Sequence, residues 1–387
     1  MTPAARVQAS IEILDDILAG MPVEKALTGW ARRSRFAGSK DRAAVRDHVF
    51  DALRCRRSYA ALGGSETGRG LMIGAARSSS VDLSTIFSGD RFAPAVVTEA
   101  EHSRPFQSDA ERLDIPEWLW PEFQKSLKDE TEPAAIALKS RAPVHLRVNL
   151  QKTDLPMAIQ CLAEEGIKAH PHSACVTALE VTEGARKIAQ SGAYSDGLVE
   201  LQDAASQAVV SAIDLKPGMR VLDYCAGGGG KALALAARAK DIHVFAHDAS
   251  PDRMRDLPNR TTRAGAEISI LTADQIADHA PFDVVLIDVP CSGSGSWRRA
   301  PAGKWALTPE RLCDLSKTQT SILNVVAPLI APKGVLAYAT CSMLNLENNN
   351  IIDEFLTFDR DWKCTFRKSW LVSHGTDGFY TAHLTRS

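Results

Sequence analysis

From residue 215 to the C-terminus, short apolar runs alternate with amphipathic helical stretches, and this alternation constrains the chain more than any other feature. The strand-like runs are 219–224, 242–248, 268–272, 283–288, 334–339 and 378–384. Such alternation predicts a parallel sheet covered by helices on both faces. Ligands of these sheets bind beyond the carboxyl ends of the strands. The chemically suggestive motifs of the chain all fall at such ends.

The first run leads into Asp223-Tyr224-Cys225-Ala226-Gly227-Gly228-Gly229-Gly230-Lys231, a passage from a strand through four glycines into a helix. Glycines let the backbone approach a ligand, and a helix start offers free N–H groups. Three ligand classes compete. A triphosphate loop needs Gly-x4-Gly-Lys-Ser/Thr, but Cys225 holds the first glycine position and Ala232 the hydroxyl position. A dinucleotide fingerprint fits by half, through Gly227, Gly229, Ala232 and an acid at Asp248. S-adenosylmethionine fits best, because Asp248, Asp274 and Asp288 fall at the ends of the next three strands. An acid after the second strand can accept both ribose hydroxyls, and Asp274 is placed for the adenine end. Any one of these aspartates could merely cap a helix or turn; three in strand order are harder to dismiss.

Eight cysteines stand at 55, 161, 175, 225, 291, 313, 341 and 364. They form no CxxC pair or zinc-like Cys/His spacing, so neither a metal site nor a disulfide framework is expected, and a reducing cytoplasm fits. A lone cysteine is ordinarily a small core hydrophobe. Cys291, in Asp288-Val289-Pro290-Cys291, and Cys341, in Thr340-Cys341-Ser342, differ by following strand ends. Their chemistry suits methylation of C5 of a cytosine, a weak nucleophile. A thiolate adding at C6 pushes electron density onto C5. Asp288 is the candidate acid near N3, and the second thiol can assist release of the first.

The first third reads as helical. Val7, Ile11, Leu14 and Leu18 recur at helical spacing, as do Val45, Val49, Ala52 and Leu53 after Asp41, a candidate N-cap. Residues 63–90, rich in Gly and Ser, give no clear pattern. Net charge is −2 overall, yet residues 31–57 hold nine cations against three anions. That segment is a candidate RNA surface, with a solvated helix face as its bland alternative. Residues 144–150 predict a strand and 154–166 a helix, within a small α/β module. No apolar run approaches the ~20 residues of a membrane span. The N-terminus lacks the pattern of a secretory signal.

Taken together, DYCAGGGGKA, DVPCSGSGSWRRAP, YATCSMLNLEN and DGFYTAHL resemble the Sun/RsmB family of RNA cytosine-5 methyltransferases. The resemblance implies a Rossmann-like catalytic domain over 201–387, a linker and small α/β module over 106–200, and a helical NusB-like RNA-binding domain over 1–105. It implies Cys341 as nucleophile, Cys291 as the residue assisting release, and Asp288 beside the base. Cofactor contacts would come from Cys225, Ala226, Gly227, Gly228, Gly229, Gly230, Lys231, Asp248, Asp274 and Asp288. The implied substrate is small-subunit (16S) ribosomal RNA, acted on by a cytoplasmic monomer. Two positions depart from the family, which usually has Pro where Gly228 stands and Thr where Ala232 stands. Glycine there should loosen the loop by roughly 0.4–1 kcal/mol of unfolded-state entropy. Rival readings are a non-catalytic RNA-binding assembly factor, a transfer RNA methyltransferase and an NAD-dependent oxidoreductase; the last leaves the two cysteines unexplained.

Overall fold

A computed structural model describes residues 1–239 and 241–386. The chain divides into two compact units. The first comprises Met1–Gln124, Lys128–Arg141 and Trp297–Ala306. Its leading helices are Pro3–Leu18, Val23–Arg33, Ser39–Arg54, Arg56–Gly63 and Gly68–Ser78. The two apolar stripes read from the sequence face one core, where Leu14, Val45, Val49, Ala52 and Leu53 are buried; Leu18 is half-buried at the margin. Asp41 is not the N-cap expected. The helix begins two residues earlier, and Asp41 reaches back to accept the Gly38 N–H at 3.3 Å while also binding Arg6.

The glycine-rich stretch becomes a helix because its glycines permit close backbone contact. A Cβ on Gly74 would lie 2.0 Å from the Tyr59 carbonyl oxygen, and one on Gly63 would lie 1.8 Å from that of Gly70. The helices Arg56–Gly63 and Gly68–Ser78 therefore pack at a distance that side chains would forbid. The segment Trp297–Ala306 completes this unit. Lys304 and Trp305 donate to the carbonyls of Arg54 and Leu53, and the Arg54 guanidinium donates to the Arg298 carbonyl.

The second unit holds two sheets. The smaller is fully antiparallel: β1 (Val144–Val148), β2 (Lys168–Pro171), β3 (Ala178–Glu183) and β4 (Val199–Leu201), in the order β2-β3-β1-β4. The expected helix forms at Leu155–Glu164, and its Ala158 and Leu162 pack with Leu146, Val148 and Leu179.

The larger sheet runs β10-β11-β9-β8-β5-β6-β7. Its strands are β5 (Arg220–Asp223), β6 (His243–Ala246), β7 (Ile268–Ile270), β8 (Phe282–Asp288), β9 (Ile330–Thr340), β10 (Trp362–Trp370) and β11 (Phe379–Arg386). The first five pair in parallel, and β11 inserts antiparallel between β9 and β10. This is the Rossmann-like order with a reversed terminal hairpin. Strand order switches direction between β5 and β8, so the crevice for a ligand opens where those two strands end. Val221, Leu222, Val284, Val285 and Leu286 are fully buried, as expected for strands covered on both faces.

Candidate active site

Asp223 ends β5 and Asp288 ends β8, side by side at the switch point. Between them the glycine loop turns into the helix Gly230–Ala236, with Gly227 and Gly229 at φ +54° and +79°. A Cβ on Gly229 would meet Leu257 at 2.3 Å, so both handedness and space demand glycine there. The loop borders a cavity of about 200 Å³, lined among others by Asp223, Cys225, Gly227, Lys231, Arg253 and Asp288.

Charges around this cavity are interlocked. Lys231 Nζ lies 2.7 Å from Asp288 Oδ2 and 4.9 Å from the centre of the Phe379 ring. Burial pulls the Lys231 ammonium down, but Asp288 and then Cys341 outweigh it and hold it above its ordinary value. Asp223 is fully buried, and neither of its carboxyl oxygens has a hydrogen-bond partner. That burial pushes its carboxyl up to about 7, against the pull of Lys231 and with the push of Asp288. The Cys225 thiol is pushed up by burial and by the same carboxylates, so it stays protonated.

Cys291, three residues beyond β8, and Cys341, directly after β9, bring their sulfurs to 3.4 Å. Both are partly exposed and free. The contact with Cys341, then burial, raises the Cys291 thiol well above the ordinary range. One residue holds both loops. Glu347, fully buried, accepts the Ser292 N–H at 2.7 Å and the hydroxyls of Ser292 and Ser342, the residues following the two cysteines. Gln319 Nε2 adds a donor at 3.1 Å.

Of the residues expected to hold the cofactor, Cys225, Ala226, Gly227, Gly228, Gly230, Lys231 and Asp288 border one cavity. Gly229 sits behind the turn. Asp248 is buried beneath the loop, where it accepts the Gly227 N–H at 2.8 Å and the Ser250 N–H at 2.9 Å, with Arg253 at 3.1 Å. Asp274 lies exposed in the turn Ala273–Gln275. Asp223 and Glu347 went unnoticed in the sequence. Asp223 carried a signal as the last strand residue before the glycines; Glu347 carried none, since its partners are 5 to 55 residues away.

Loose glycine loops need other restraints, and here Arg260 supplies one by donating to the Gly228 carbonyl. The loosening expected from glycine at 228 is met by a guanidinium clamp instead of a proline ring.

The fold is that of the Rossmann-like S-adenosylmethionine-dependent methyltransferases. Asp223, with two unpartnered buried oxygens, and Asp288 suit the cationic amino acid end of that cofactor. Residues 210–385 match the family described as 16S rRNA methyltransferase RsmB/F, and residues 115–186 match the ferredoxin-like domain of the same family. Over these residues the chain belongs to the RsmB/F methyltransferase family. Ribosomal RNA small subunit methyltransferase B of Citrobacter koseri is 33% identical across 65% of this chain and 60% of its own length. That of Photorhabdus laumondii is 30% identical across 70% of this chain and 66% of its own. The matches thus span less than two thirds of these relatives. The crystal structure of PH0851 superposes with a TM-score of 0.76 at 23% identity, covering 100% of this chain and 99% of that one. A methyltransferase homolog from Pyrococcus horikoshii gives 0.63 at 22% identity, covering 72% and 97%. These two likenesses speak to the fold.

Proposed function

We propose that this chain transfers a methyl group from S-adenosylmethionine to C5 of a cytosine in RNA, with small-subunit (16S) ribosomal RNA as substrate. The observation that carries the reading is the pair of sulfurs 3.4 Å apart at the ends of adjacent strands. The names of the relatives favour ribosomal over transfer RNA.

S-adenosylmethionine, when bound, supplies an electrophilic methyl group. Its amino acid end would lie against the glycine loop and Asp223, with Asp248 toward the ribose and Asp274 toward the adenine. Cys341 adds as a thiolate to C6 of the base, which places electron density on C5. Asp288 relays a proton from the Lys231 ammonium, 2.7 Å away, to N3 as charge develops there. Cys291 keeps its own proton during this attack, so the two sulfurs do not compete. Once C5 carries the methyl group, Cys291 assists removal of the C5 proton, either by ordering a water that takes it or by passing its own proton to that water and taking the C5 proton as a thiolate. The C5–C6 double bond re-forms, the C6–S bond breaks with its electrons returning to Cys341, and N3 returns its proton through Asp288 to Lys231.

RNA capture falls to the basic helical segment. Of its nine cations, Arg54 and Arg57 are engaged within the fold, whereas Arg32, Arg33, Arg35 and Lys40 are exposed. Phe36 stands among them 76% exposed, a platform on which a base can stack. No described helix is long and apolar enough to cross a membrane.

Bisulfite sequencing of ribosomal and transfer RNA, from cells with and without this chain, tests the reading. A cytosine in small-subunit RNA protected only when the chain is present is the expected result. Protection confined to transfer RNA overturns the substrate, and conversion of every cytosine in both cases overturns the reaction.

A further inference from the structure

The small antiparallel sheet carries a cluster of side chains that methyl transfer does not use. His145 on β1 stands directly opposite Glu180 on β3, so both side chains project from one face. His172, just past β2, is drawn to the same place by its backbone N–H, which donates to the Ala178 carbonyl at 2.8 Å. The ligand atoms of the three residues all lie within 4.8 Å of one another.

His145 points to what the cluster holds. Its side chain is fully buried, and its Nδ1 lies 3.0 Å from Asp203 Oδ2. A carboxylate there keeps the proton on Nδ1 and leaves Nε2 with a free lone pair. That Nε2 is buried without a hydrogen-bond partner. His172 is oriented the other way, because its Nδ1 accepts the Ala174 N–H at 3.2 Å and its proton therefore sits on Nε2; Nε2 offers a lone pair once an incoming ion shifts that proton to Nδ1 and the Ala174 bond is released. The free lone pair of His145, the Glu180 carboxylate and the partly exposed His172 ring converge, and the buried imidazole is backed by a carboxylate that fixes its tautomer, as in metal sites generally.

We propose that His145, His172 and Glu180 bind a divalent transition metal ion, zinc by donor type. Two imidazoles and one carboxylate supply three of four tetrahedral positions, and water supplies the last. Ligands about 2.1 Å from a shared ion sit roughly 3.4 Å apart. His172 and Glu180, both partly exposed, can close that gap while His145 stays fixed. The ion would join β1, β3 and the turn after β2. Through Asp203, which also accepts the Asp377 N–H at 3.1 Å, it would steady the approach to β11.

The test is metal binding by the full chain after chelator stripping. Zn2+ is titrated against a chromophoric chelator, and Co2+ is followed by visible absorption. The expected result is one equivalent per chain, with cobalt d–d bands and no thiolate-to-cobalt charge transfer. His172→Ala should lower affinity at least 100-fold, Glu180→Gln about 10-fold and Asp203→Asn about 10–100-fold. Zn2+ should raise the melting temperature of the parent and not that of His172→Ala. Should His172→Ala fail to fold, Glu180→Gln, on an exposed edge of the cluster, decides. Charge-transfer bands, binding weaker than the chelator, or parental affinity in a folded ligand variant would overturn the proposal.

Discussion

Cys291 Sγ lies 3.4 Å from Cys341 Sγ, a contact made across the ends of two neighbouring parallel strands. The contact and burial raise the Cys291 thiol, and the proposed mechanism gives the two sulfurs different tasks. Cys341→Ala should therefore abolish methylation and form no covalent species. Cys291→Ala should permit attack but slow release, so that a protein–RNA adduct survives denaturing electrophoresis. An adduct with Cys341→Ala alone would mean the roles are reversed.

Glu347 couples the two cysteine loops through Ser292 and Ser342. Glu347→Ala leaves several buried donors unpaired, each hydrogen bond to a charged group being worth about 1.5–3 kcal/mol. The turnover of methyl transfer should fall at least tenfold while cofactor affinity is kept, because no cofactor residue touches Glu347. Glu347→Gln should recover part of the loss, since serine hydroxyls can turn to accept from the amide. Equal turnover in Glu347→Ala and the parent would show that the loops hold their register unaided.

Asp223 gives the fold a pH signature. Its carboxyl titrates near 3.8 when unfolded and is raised to about 7 in the folded chain. Between those values the folded state binds the extra proton, so stability falls as pH rises from about 4 to about 7. Asp223→Asn removes that slope. Urea unfolding at pH 5 and pH 8 should show the variant gaining on the parent toward pH 8. An identical pH dependence in both proteins would mean that Asp223 is ionised throughout.

The exposed arginines can be tested by salt. Reversing Arg32, Arg33 and Arg35 to Glu should make the slope of log affinity against log salt shallower by about 2 for single-stranded RNA. Phe36→Ala should cost about 1–3 kcal/mol of binding with the slope preserved. Filter-binding titrations over a range of salt separate the two effects, and an unchanged slope in the triple variant would leave this face without a role in RNA capture.

Gly228 and Arg260 make a further pair. The Gly228 backbone is not in the left-handed region, and an added Cβ would meet only the Arg260 guanidinium, at 3.2 Å. Gly228→Ala should be stabilising by roughly 0.4–1 kcal/mol. Arg260→Ala should weaken cofactor binding more in the parent than in the Gly228→Ala background. Calorimetric titration of the four proteins measures that coupling.

Much of this arrangement is legible in the sequence because strand ends in a parallel sheet are functional ends. The glycine loop and both cysteines could be located by counting strands. β10 escaped notice because Lys363, Arg367 and Lys368 are exposed along it, charges that blunt a sheet edge and hide the apolar alternation. Asp41 misled because an acid at the third helical position resembles one at the cap. His145, His172 and Glu180 had no readable spacing, since antiparallel register brings them together. Asp223 was visible as an acid, but its lack of partners is a property of burial alone.

The segment Trp297–Ala306 has a consequence for synthesis. The helical unit begins at the first residue, yet buried Trp297 and Lys304 belong to it. Vectorial synthesis cannot complete that unit until residue 306 has left the ribosome. Between Arg141 and Trp297 the nascent chain adds most of the catalytic sheet, a delay of roughly ten to thirty seconds at ordinary elongation rates. During that interval the carbonyls of Leu53 and Arg54 await their donors, so maturation of the two units is tied to a single late stretch of translation.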